Sequence, residues 1–158
     1  MERGLSVIAA AAVLRLGARL LLALLVGQAS AALAEDRLVL VAAANSHISE
    51  ISSRELHKLY LGLTVTVGDR RVLALRNESD DLMRQVFFQS IVSMSEAVYE
   101  RRMLAQALQQ GTKAPPRLSS TRAVFDRLAQ DPDAVSFAWA TDAEKDARVR
   151  TLRLLWRR

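Results

Sequence analysis

The sequence predicts an α/β domain: a mostly parallel sheet with flanking helices. Two observations lead to this class. Leu38–Ala43 and Val72–Leu75 are short, unbroken apolar runs, the pattern of strands covered on both faces. Between and after them lie segments with helical apolar spacing that open on serine caps.

The chain has 158 residues, and its first 34 read as a targeting segment rather than as fold. Arg3, Arg15 and Arg19 precede the apolar run Leu20–Val26, and Ala32-Leu33-Ala34 supplies a small-residue cleavage pattern before Glu35. This predicts a secretory signal peptide over 1–34, cleavage after Ala34, and a periplasmic or secreted domain over 35–158. The run is well short of the roughly 18 apolar residues of a membrane span. An uncleaved anchor is the competing reading, and it must accommodate Arg15 and Arg19 between its two apolar stretches.

From Glu35 onward, 19 basic residues face 16 acidic ones, a net +3. There is no cysteine, which excludes disulfides and thiol chemistry. The arginine-rich tail RVRTLRLLWRR would suggest nucleic acid in a cytosolic protein. In an exported one it does not, and no nucleic-acid partner and no membrane contact beyond the signal segment are expected. Alternation of Val149 and Thr151 with Arg148 and Arg150 fits a half-exposed strand; Trp156 and the arginines could also mark a partner surface.

The elements follow in order. After Leu38–Ala43 comes the turn ANSHISE, then a capping box with Ser52 as N-cap and Glu55 at N3, and Ile51 and Leu56 as a hydrophobic staple. Leu56, Leu59 and Tyr60 form the apolar face, and Gly62 stops the helix. A Gly68-Asp69 turn leads to the strand Val72–Leu75, and strand–helix–strand spacing predicts a right-handed crossover with parallel pairing. Ser79 is expected to cap the next helix, with Leu82, Val86, Phe87 and Ile91 inward. Ser93 and Glu96 read as a second capping box for a helix to about Gln109, ended by Gly111 and Pro115-Pro116. SSTRAVFDRLAQ is a further helix with Val124, Phe125 and Leu128 inward, and AVSFAW and VRTLRLL follow as strands.

Three stretches in this order resemble the phosphate-binding periplasmic proteins. LHKLYLG with its Gly-Asp turn is similar to the family's helix ending in Phe-Leu-Gly and its Trp-x-Asp-Gly loop. RNESDDLMRQVF resembles the Arg-x-x-x-Ser-Gly-Thr turn and following helix, shortened by one residue. DAVSFA, Asp133–Ala138, resembles the Gly-Ala-Ile-Ser-Tyr-Val strand. The resemblance runs from about Leu38 to Trp139 and implies a single lobe of a type II periplasmic-binding-protein-like fold, as in the short single-domain members of the substrate-binding family. It implies a solute-binding-like protein in envelope transport or sensing, with phosphate or another small anion as ligand and an envelope protein or transporter as partner. Where the family has Ser-Gly-Thr, this chain has Ser79-Asp80-Asp81; the loop Trp is missing, with Val67 near that place, and Asp133 replaces the Gly.

The candidate ligand-binding residues are Arg76, Asn77, Ser79 and Asp80, with Asn45 and Ser46 in the first turn. A helix N-terminus attracts anions, and Arg76 and the Ser79 hydroxyl would add bonds to one. The competing reading is structural: Ser79 caps, and Asp80 and Asp81 neutralise the helix dipole, each worth roughly 0.3–1 kcal/mol. Those carboxylates would repel phosphate by about 1–4 kcal/mol per charge at contact distance. Asn45 and Ser46 also read as ordinary loop chemistry.

Catalysis has no motif to stand on, since G-x-S-x-G, P-loop and G-x-G-x-x-G patterns are absent, and no cofactor is expected. His47 with Glu50 and His57 with Glu55 match no zinc spacing, so no metal is expected. The alternative to solute binding is a non-ligand-binding envelope scaffold or interaction protein that retains the fold.

Overall fold

A computed structural model describes residues 36–158; the segment read as a signal peptide lies outside them. Strand β1 (Arg37–Ala43) is followed by α1 (Ser53–Tyr60), the hairpin β2–β3 (Thr66–Val67, Arg70–Arg71), and the short β4 (Leu73–Ala74) and β5 (Arg76–Asn77). Helix α2 (Asp81–Val86) runs on into a wider π-helical turn, Phe87–Ile91. Then come α3 (Glu96–Gln110), β6 (Arg117–Leu118), α4 (Thr121–Gln130), β7 (Ala134–Trp139), α5 (Ala140–Ala143) and β8 (Val149–Arg157).

The main sheet has the order β4-β7-β1-β8. The α/β class with flanking helices holds, but the pairing is mixed. β1 is antiparallel to both neighbours, β7 and β8, whereas β4 runs parallel to β7. The expected parallel pairing of the first two strands does not occur, because β7 lies between them. The reason is the hairpin at Gly68, whose φ of 64° permits the reversal. That additional turn after α1 points β4 opposite to β1.

Alternation along β1 sends Leu38, Leu40 and Ala42 to one face, with Val135 and Phe137 of β7, against α1, the π turn and α3. Val39 and Val41 face the other way with Ala134 and Ala138, against α4 and α5. The sheet is therefore covered on both faces, as its apolar runs require. β8 is the half-exposed edge the arginine alternation predicts.

Helix α1 begins as its sequence indicates. The Ser52 side chain accepts from the Glu55 amide, and the Glu55 carboxylate accepts from the Ser52 amide at 2.9 Å. It ends in a Schellman motif: Gly62, at φ 77°, donates to Leu59 O, and Leu63 donates to Lys58 O. Two other caps shift. The N-cap of α2 is Asp80, whose carboxylate accepts from the Met83 amide at 2.8 Å, and not Ser79. The N-cap of α3 is Ser95, and not Ser93. Ser93 sits at φ 55°, spent on the reversal after the π turn, and so lacks the extended backbone an N-cap uses. Helix α4 starts at its cap Ser120 and buries Val124, Phe125 and Leu128 as expected. Among the described residues, no helix is long and apolar enough to cross a membrane, and no group of metal-ligating side chains assembles.

Candidate functional site

Arg76 is the best-defined polar feature of the fold. β5 holds it by pairing with β6, the Arg76 amide donating to Pro116 O at 2.8 Å. Its side chain is 2% exposed. The guanidinium donates to Glu78 at 2.6 Å and to Glu100 at 2.8 Å. It also lies 5.2, 5.4 and 4.9 Å from the ring centroids of Phe87, Phe88 and Tyr99. Bonds to carboxylates offset its loss of water, and the aromatic faces attract its charge. The π turn makes this enclosure: one extra residue per turn, seen in the Val92 amide reaching Phe87 O, brings consecutive Phe87 and Phe88 both inward.

The same cluster fixes two tyrosines. Tyr60 donates to Leu75 O at 3.1 Å, and Tyr99 donates to Tyr60 O at 2.6 Å. Burial pushes the Tyr99 hydroxyl up to about 12, against the opposing pull of the Arg76 charge. Burial drives Tyr60 higher still, assisted by Tyr99.

Asn77 is buried and fully engaged. Its amide nitrogen donates to Phe137 O at 3.0 Å and to Thr121 Oγ1 at 3.3 Å, and its oxygen accepts from the Ser79 amide at 3.1 Å. Ser79 is exposed, its hydroxyl 2.9 Å from that of Thr121. Asp80 is the cap just described, and Asp81 pairs with Arg84 at 3.1 Å. An anion at this turn would thus find one exposed hydroxyl pair, two carboxylates, and an arginine already bonded inside the core.

Asn45 and Ser46 lie elsewhere. The Ser46 hydroxyl donates to Pro132 O at 2.5 Å, just before β7 begins, and accepts from the Ile48 amide at 3.2 Å. Asn77 bonds Phe137 near the other end of that strand, so five residues of strand, roughly 16 Å, separate the two turns. They do not line one site. Asn45 is exposed and makes no side-chain hydrogen bond among the described residues.

Sequence reasoning missed Glu78, Glu100 and Thr121, the partners that decide what Arg76 and Ser79 do. Glu100 is 24 residues from Arg76, and no local pattern links them. Asp133 also gains a role: its carboxylate lies 2.6 Å from Arg70 of the hairpin and 3.1 Å from Nδ1 of His47. Its bond to Arg70 ties the hairpin to the foot of β7, where the resembling strands carry glycine.

No family model matches the sequence, and neither does any curated protein. Solved structures do match in fold. An ABC-type phosphate transport receptor from Vibrio cholerae has 14% identity and a TM-score of 0.53 over 76% of this chain and 46% of its own. A Clostridium perfringens protein described as a phosphate ABC transporter substrate-binding protein, solved with bound phosphate, has 14% identity and a TM-score of 0.57, over 76% of this chain and 45% of its own. PstS from Borrelia burgdorferi has 12% identity and a TM-score of 0.55, over 75% and 47%. The chain spans less than half the length of each. At these identities the likeness is one of fold, and the fold is that of a lobe of phosphate-type substrate-binding proteins.

Proposed function

We propose that this chain is an exported, non-enzymatic accessory protein of the cell envelope, a solute-binding-type lobe whose Arg76 turn serves its own core. The observation that carries this reading is the enclosure of the Arg76 guanidinium, bonded to Glu78 and Glu100 and faced by three aromatic rings. To engage phosphate there, the guanidinium would have to leave two carboxylates, and Asp80 and Asp81 would oppose the incoming charge. Small-anion binding is the second reading, favoured by the exposed hydroxyls of Ser79 and Thr121 between the starts of α2 and α4.

Calorimetric titration of residues 35–158 with phosphate separates the two. The expected result is no saturable binding by the natural protein. Asp80→Gly with Asp81→Thr removes two negative charges and should create weak binding while costing helix stability. Tight binding by the natural protein, weakened by that double substitution, would overturn the reading in favour of aspartates that accept hydrogen bonds from a protonated phosphate.

A further inference from the structure

At the end of the sheet away from Ser79, a cavity of about 560 Å³ runs beside the edge strand β4. One wall is β4 itself; the other is the loop from Gly111 to Pro116. Backbone direction shows what β4 offers to it. The Leu73 and Leu75 amides point inward to Asp133 O and Val135 O. The Val72 and Arg76 amides point outward, to Val65 O and Pro116 O. Ala74, between them, also points outward, and its N–H and C=O have no hydrogen-bond partner among the described residues. Lining the groove, these two groups are open to a partner that brings a matching acceptor and donor. The facing loop cannot supply a donor at Pro115 or Pro116, whose nitrogens carry no hydrogen.

Apart from Thr64, Thr112 and one acid, the rest of the lining is apolar and basic. Leu63 and Leu73 are 41% and 40% exposed beside it. Arg71, Lys113 and Arg127 line it with a single acid, Asp131, which pairs with Arg127 at 3.7 Å. Arg71 and Lys113 have no ion pair among the described residues.

We propose that this groove is a docking site for an extended, acidic segment of a partner polypeptide. The segment adds to β4 as a short strand, bonding the Ala74 N–H and C=O, placing an apolar side chain against Leu63 and Leu73 and a carboxylate between Arg71 and Lys113. A polypeptide is favoured over a small acid because a free sheet edge is matched by another backbone, and the net positive charge selects an acidic one. The proposal rests on the accessory-protein reading, yet the two fail separately: phosphate titration tests one and peptide selection the other.

The test is selection of random heptapeptides displayed on phage against residues 35–158, followed by synthesis of the enriched sequences. Alternating apolar and acidic peptides are expected. N-methylation of the one peptide amide that meets Ala74 should weaken binding about tenfold, the loss of roughly one backbone hydrogen bond. Arg71→Glu with Lys113→Glu, both away from the core, should abolish binding while the denaturation midpoint stays unchanged. Failure to enrich any sequence, enrichment of basic peptides, or equal binding by the charge-reversed protein overturns the proposal. Equal binding by the all-D form of the peptide does so too, because it shows a charge sink that reads no backbone.

Discussion

Arg76 sets the chemistry of its neighbourhood because it is buried with partners that are not. Glu78 and Glu100 keep 25% and 42% of their side-chain exposure, so they can recover water if the guanidinium is removed. Arg76→Met should therefore cost less than breaking a fully buried pair, about 2 kcal/mol, read from urea denaturation. Arg76→Lys should recover little of this, because an ammonium cannot fork to two carboxylates while stacking on rings. An unchanged midpoint for Arg76→Met would mean the residue is not structural. Tyr99 makes a second prediction. Its hydroxyl ionises near 10 when exposed and about 12 in the fold, so the native state holds its proton longer. That contribution is complete below about pH 10 and is lost as pH rises toward about 12. Stability measured across this window should fall, and Tyr99→Phe should flatten the fall. A slope the same in the variant would assign it to other groups.

Helix caps are decided at the scale of the element. In α1 the box is local, Ser52 and Glu55 being three residues apart, and Ser52→Ala should lower stability by roughly 1 kcal/mol. At α2 two adjacent residues could cap, and only the amide they reach distinguishes them. Asp80 takes the Met83 amide, while the Ser79 hydroxyl turns to Thr121. Asp80→Ala should cost about 1 kcal/mol and Ser79→Ala no more than about 0.5 kcal/mol. Equal losses in denaturation experiments would show that the cap is shared.

For the whole molecule, the expectations concern export and topology. If the first 34 residues are a cleaved signal peptide, amino-terminal sequencing of the protein from the envelope fraction should begin at Glu35. An intact Met1 on membrane-bound material would make the segment an anchor. In the described domain, β7 inserts between β1 and β4, so the core closes only after most of the chain is present. Contacts of long sequence separation dominate the sheet, Leu38 meeting Trp139 and Trp156.

What the sequence determined by itself is what short-range physics encodes. The apolar runs of β1 and β7, the Ser52 box, the Gly62 and Gly111 stops and the inward face of α4 all depend on residues within a few positions of one another. So did the choice at the Arg76 turn between a ligand loop and a structural one, but only as a choice. The tertiary structure decided the rest. Whether Arg76 is free depends on Glu100 and the rings that the π turn gathers, and whether β4 pairs with β1 depends on a strand that arrives some sixty residues later. The groove at Ala74 was equally hidden, since its walls come from β4 and from a loop after α3. Hydrophobic period and caps are properties of a segment; ion pairing, strand order and an open edge are properties of which segments meet.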